Sequence, residues 1–161
     1  MKFPIRIPFV ELLGFELLGI GDGQAEIAVE LKEDLHNSFQ VAHGGLTMTL
    51  LDVAMAHAAR SVHLRLGADG EMLDLGPGAM TIEMKTSFLA PGLGRLVARG
   101  RLLHRTATLA FCEGSVHAGN GRLCAHATGT FKYLQAIPTR ASAKPPPLDP
   151  EGFTFGGSGS D

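Results

Sequence analysis

The chain has 161 residues, a formal charge of −2, and 45% hydrophobic against 19% charged residues. That balance suits one globular domain, excludes a disordered chain or a coiled coil, and needs no disulfide or metal staple at this size. No apolar run reaches the 18 or more residues of a membrane span, and the greasy start MKFPIRIPFVELLGFELLGI carries Lys2, Arg6, Glu11, Glu16 and two prolines, unlike a signal peptide, so a cytoplasmic protein with no membrane partner is expected.

In chain order, the first clear pattern is Gln24–Leu31, QAEIAVEL, whose alternation predicts a strand. A helix is predicted from Gly44 to about Leu66. After Gly44-Gly45 the run LTMTLLDVAMAHAARSVHLRL contains no Gly or Pro. Leu46, Leu50, Val53, Ala54, His57 and Ser61 share one face. Met48, Met55, Ala56, Ala59 and Asp52 share nearly the opposite one. A helix apolar almost all round belongs inside a domain.

Four strands are predicted next. Ala79–Ala90 alternates Met80, Ile82, Met84 and Phe88 against Thr81, Glu83, Lys85 and Ser87. Arg95–His104, Thr108–His117 and Arg122–Leu134 follow, joined by short connections that include Gly119-Asn120-Gly121, and predict an antiparallel meander. The expectation is an α+β fold, an antiparallel sheet of about five to six strands wrapped round one long central helix. The domain is placed at 1–137. From Pro138 to Asp161 the chain is Pro- and Gly-rich, lacks a period and can hardly bury a core, so a disordered tail is expected.

Charge is distributed unevenly. Residues 1–83 hold twelve of the sixteen acidic side chains, whereas 84–132 hold Lys85, Arg95, Arg99, Arg101, Arg105, Arg122 and Lys132 against Glu113 alone. Without interleaved aromatics or a basic helix this segment does not suit nucleic acid; a small polyanion fits better. The bland alternative is a solvated sheet face. Cys112 and Cys124 match no zinc spacing and read as reduced core thiols. His36, His63, His104, His117 and His126 form no ligand pattern, and no metal is expected.

Asp52 is the most informative residue. Aspartate is a poor helix-interior residue and is rarely buried unpaired. A buried carboxylate tends towards a raised pKa and a role as base or nucleophile, although pairing with an arginine would equally explain it. Two turns earlier, His43-Gly44-Gly45 opens the helix, where unpaired N–H groups can hold an oxygen that gains negative charge. Asn37 adds an amide donor from the preceding loop. A carboxylate beside an oxyanion site is what acyl transfer requires.

The pattern N-x5-H-G-G-x5-L-D, from Asn37 through His43-Gly44-Gly45 to Leu51-Asp52, resembles the PaaI-type branch of the hotdog-fold acyl-CoA thioesterases. TIEMKTSFLAPG, GRLVARGRLLHRTATLAFCEGSVH and GRLCAHATGTF are similar to that family's later strands, so the resemblance spans roughly Pro8 to Tyr133. It implies Asp52 as general base or nucleophile, and Gly44 as the backbone donor to the thioester oxygen. It further implies that Asn37 polarises the carbonyl, that His43 shapes the loop, and that Thr81 orients water or carboxylate. It also implies a homodimer, often paired into a homotetramer, with Asp52 and Thr81 facing Asn37 and Gly44 of the other chain. The substrate implied is an acyl-CoA, with no separate cofactor. Gly45 and Gln40 would border the substrate, and Arg101 and Arg105 are candidates for the coenzyme A phosphates. The family usually has Gly where this chain has Gln40, which puts acyl specificity in question. A non-catalytic acyl-CoA-binding protein is the alternative function. Hydratase chemistry is disfavoured, because His57 points to another helix face than Asp52.

Overall fold

The computed structural model describes residue 3 and residues 5–134. The tail expected over 138–161 lies outside the described residues. The elements are α1 (Pro8–Leu12), β1 (Glu16–Gly21), β2 (Gln24–Glu30), a 3-10 turn (Glu33–Leu35) and α2 (Gly44–Ser61), then β3 (Arg65–Leu66), β4 (Met72–Asp74), β5 (Gly78–Phe88), β6 (Arg95–Arg105), β7 (Leu109–Ala118) and β8 (Leu123–Leu134). Six strands form one antiparallel sheet in the order β1-β2-β6-β7-β8-β5, and β3 and β4 make a separate hairpin. The predicted meander is β6-β7-β8, and β5 closes it as an edge strand.

α2 lies against the concave face of this sheet. Leu50, Leu51, Ala54, Met55, Ala58 and Ala59 are fully buried along it. The helix approaches so closely that a Cβ on Gly100 of β6 would fall 2.4 Å from the Ala54 carbonyl oxygen. Backbone meets backbone there, and only glycine leaves the room. Met48, Asp52 and Ala56, spaced one turn apart, are among the α2 residues left partly open.

The structure corrects several expectations. α2 stops at Ser61 instead of running to Leu66. The Ser61 hydroxyl donates to Ala58 O at 2.8 Å and accepts from Gly23 N at 2.8 Å, tying the last turn to the β1–β2 hairpin. Arg65–Leu66 then pairs with Met72–Asp74, so residues expected to be helical become a hairpin arm. The Gly67-Ala68-Asp69-Gly70 turn was its signal. β1 was not anticipated either, yet Asp22-Gly23 is a two-residue hairpin turn with φ of +48° and +78°, the signature of a type I′ turn.

Three of the seven basic side chains of this segment are paired across strands. Arg95 contacts Glu16 at 2.7 Å and Glu30 at 3.8 Å, Arg99 contacts Glu26 at 2.9 Å, and Arg101 pairs with Glu113. Arg95, Arg99 and Arg101 sit directly opposite Glu30, Glu26 and Glu113 in the ladder. These exposed pairs fix strand register more than they stabilise the fold. Both cysteines are free and buried, and burial pushes the Cys112 thiol up to about 12, so it is unreactive.

Candidate functional site

The turn before α2 is built by its own side chains. Asn37 Oδ1 accepts from Phe39 N at 2.9 Å and from Val41 N at 3.4 Å. Two N–H donors on that atom identify it as the oxygen and leave the amide NH2 as the free donor. Gln40 N donates to Asn37 O at 3.0 Å, and Gln40 itself sits at φ +59°. That left-handed conformation explains why glycine suits the position: a side chain there costs about 1–2 kcal/mol. The Gln40 side chain is exposed.

His43 is the N-cap of α2, and its Nδ1 accepts from Gly45 N at 3.0 Å. The Gly45 N–H is therefore engaged, whereas no described residue accepts from the Gly44 N–H. Gly44 opens onto a cleft of about 460 Å3 that is also lined by Asn37, Val41, Phe88 and Pro91. A Cβ on Gly44 would be 3.6 Å from the Phe88 ring, which places β5's last residue over the helix start. The sequence carried no signal for Phe88 beyond an aromatic at a strand end.

Asp52 and Thr81 meet two turns further along the same side of that helix. Thr81 Oγ1 donates to Asp52 Oδ1 at 2.6 Å. Asp52 is half-buried and its carboxyl is raised above the ordinary value of 3.8, because burial disfavours the charged form more than the Thr81 hydrogen bond favours it. The predicted alternation of β5 would have turned Thr81 away from the helix. A β-bulge at Ile82 reverses it: Glu83 pairs with Thr130, yet Thr81 pairs with the fully buried Phe131. In an unbulged strand Ile82 would oppose Phe131, and Thr81 would lie on the outer face beside Glu83.

The remaining candidates lie elsewhere. Arg101 is on the sheet face opposite α2, since its neighbour Gly100 is the residue pressed against the helix. Arg105, at the end of β6, lies within electrostatic reach of His63 and Tyr133. His57 is buried, with Nδ1 2.8 Å from Val53 O and its ring edge-on to Phe3 at 5.3 Å. It does not join Asp52. Burial lowers its pKa to about 4. Among the described residues no cluster of His, Cys, Asp and Glu is arranged to hold a metal, and no helix is long and apolar enough to cross a membrane.

One helix cradled by an antiparallel sheet defines a hotdog fold, and a half-buried carboxylate on the helix and an unpaired Gly44 N–H at its start are groups that acyl transfer can use. The chain belongs to the thioesterase superfamily, whose family profile matches residues 39–125. Its fold is shared with a conserved protein of Pseudomonas aeruginosa, at TM-score 0.69 and 30% identity over 80% of this chain and 95% of that one. A variant of the phenylacetic acid degradation protein PaaI from Thermus thermophilus superposes at TM-score 0.65, with 28% identity over 80% of this chain and all (100%) of that one. A Streptococcus mutans protein solved with acetyl-CoA bound has the same fold, at TM-score 0.66 and 23% identity over 83% of this chain and 95% of its own.

Proposed function

We propose that this protein hydrolyses an acyl-CoA thioester to a free carboxylic acid and coenzyme A, in sites each shared between two copies of the chain. One observation carries the reading. Eight residues of α2 separate Gly44 from Asp52, about 12 Å of helix rise, so one thioester carbonyl cannot meet both groups within a single chain.

A second copy removes the difficulty. β5 is a sheet edge of 11 residues, and Met80, Ile82, Phe88 and Met48 are between 38% and 55% exposed along and beside it. A long apolar edge is normally covered. Two-fold antiparallel pairing of β5 with its copy sets the Phe88 end of one strand against the Thr81 end of the other. Phe88 lies over Gly44 and Thr81 lies on Asp52, so that pairing carries the partner's Gly44 towards Asp52.

In such a site the Gly44 N–H and the Asn37 amide polarise the thioester carbonyl and hold the oxyanion. Asp52 takes a proton from water as the water oxygen attacks the carbonyl carbon, or attacks that carbon itself to give an anhydride that water then opens. In either route the C–S bond breaks and coenzyme A leaves as the thiol. Thr81 aims the carboxylate. Of the two arginines considered for the phosphates, Arg105 is the better placed, because Arg101 is held by Glu113.

Thiol release from a panel of short, long and aromatic acyl-CoAs, by wild type and Asp52→Asn, tests the proposal. Turnover by wild type and its loss in a folded variant are expected. Tight acyl-CoA binding without turnover by either protein would overturn it in favour of a binding module.

A further inference from the structure

Arg60 is an unusual residue to bury. It is 7% exposed, two turns beyond Asp52 on α2, and forms no ion pair among the described residues. Its Nε donates to Pro77 O at 3.0 Å and its Nη2 to Gly76 O at 3.3 Å. Its hydrogen bonds go to carbonyls, and Asp74 lies near enough to favour its charge; burying a cation in this way is still costly, and an apolar side chain of the same length would fill the space. What the guanidinium adds is a fork that grips two consecutive carbonyls.

Those carbonyls sit immediately before β5, where the chain has one shape open to it. Gly76 has φ +71°, and a Cβ there would fall 2.3 Å from His63 Cβ. Asp74 Oδ1 accepts from Gly76 N at 2.8 Å, while its Oδ2 holds Arg65 at 2.9 Å. Pro77 fixes the next φ. The spacing then matches on both elements. Asp52 to Arg60 is about 12 Å of helix rise, and Pro77 to Thr81 is about 13 Å of strand. Asp52–Thr81 and Arg60–Pro77 are therefore two parallel rungs between α2 and the start of β5.

We propose that Arg60 is a positioning residue for the Asp52–Thr81 pair: its grip on Gly76 and Pro77 sets where β5 begins and so holds the Thr81 hydroxyl on Asp52. The inference deepens the reading of Asp52 as the reacting carboxylate and rests on it for its catalytic meaning. Its geometry can be read without turnover. Burial raises the Asp52 pKa and the Thr81 hydrogen bond lowers it. Loosening the Arg60 rung therefore reaches Asp52 through Thr81.

The test is NMR titration of the Asp52 side-chain carboxyl in the full chain, with kcat/KM against pH on the acyl-CoA that wild type turns over best. The variants are Arg60→Met, Arg60→Lys, Thr81→Val and the double Arg60→Met/Thr81→Val. Thr81→Val should raise the Asp52 midpoint by about one pH unit, the worth of a hydrogen bond to a carboxylate. Arg60→Met should raise it in the same direction, the double variant should go no further than Thr81→Val, and Arg60→Lys should fall between wild type and Arg60→Met. The acidic limb of kcat/KM should move upwards in step, with KM little changed. If Arg60→Met does not fold, Pro77→Gly loosens the same rung and carries the same expectation. A folded Arg60→Met or Pro77→Gly with the wild-type midpoint would overturn the proposal, as would shifts that add in the double variant. Full turnover by Asp52→Asn would instead overturn the catalytic reading and leave the titration result standing on its own.

Discussion

The two ends of the candidate site are made in different ways. The turn from Asn37 to Gly45 is closed mainly by bonds among near neighbours, Asn37 to Phe39 and Val41 and His43 to Gly45, with one long-range bond from Ala42 N to Gly92 O at 3.0 Å. The Asp52–Thr81 pair spans 29 residues and joins a helix to an edge strand whose phase depends on a bulge. The first end presents backbone and amide donors whose strength hardly depends on the rest of the fold. The second is a titratable group whose protonation is decided by packing. The proposed oxyanion donors are thus mainly a local device, and the proposed reacting carboxylate is a tertiary one.

That contrast can be broken most forcefully at Asp52. Asp52→Asn should lower turnover by about 10²–10⁴-fold, the range for loss of a positioned base, while raising stability at pH 7 by about 1 kcal/mol. The sign follows from the raised carboxyl. Above its folded pKa the ionised form is disfavoured by burial, so the native state carries a penalty that Asn lacks. The gain should shrink as pH falls towards 3.8, where the carboxylate protonates in both states. Thermal denaturation of both proteins across pH checks it.

Asn37→Ala removes a donor from the other end and should cost about 10²-fold in kcat. Mixing the two inactive proteins sharpens the comparison further. If each site takes Asp52 from one chain and Asn37 from the other, subunit exchange should restore about a quarter of wild-type activity, since half of the dimers are mixed and each has one intact site. No recovery after verified exchange would place both groups in one chain.

Behind the helix, His57 gives a smaller effect, on stability alone. Its pKa is lowered by burial to about 4, so between pH 6.5 and 4 the unfolded chain takes up a proton that the native state refuses. Wild type should lose up to about 3 kcal/mol over that window as pH falls. His57→Phe, which keeps the ring against Phe3, should show a flatter profile in denaturant titrations. The smallest expected effect belongs to the local end: Gln40→Gly should stabilise by about 1 kcal/mol through relief of the left-handed φ, measurable as a rise in Tm.

Much of this was open to reading in one dimension because its physical cause is local. Alternation marked the sheet strands β2 and β5–β8, an uninterrupted apolar run marked α2, and His43-Gly44-Gly45 followed by Asp52 marked the candidate site. The short β1 escaped although Asp22-Gly23 announced its hairpin, and the end of α2 was overrun because Ser61 is engaged by Gly23, 38 residues away. In the basic stretch 84–132, Arg95 and Arg99 looked free to meet a polyanion because sequence places Glu30 and Glu26 far off, whereas strand register sets them opposite.

The residue types, the turn chemistry and the carboxylate in an apolar helix follow from the order of amino acids, since each rests on interactions a few residues long. Which face Thr81 occupies does not. The alternation of Met80, Thr81, Ile82 and Glu83 assigns it to the outer face, and only the pairing of β5 with β8, which accommodates one extra residue at Ile82, turns its hydroxyl onto Asp52. A period-two pattern has no means of recording a bulge, because the bulge arises from how two strands and a helix pack together.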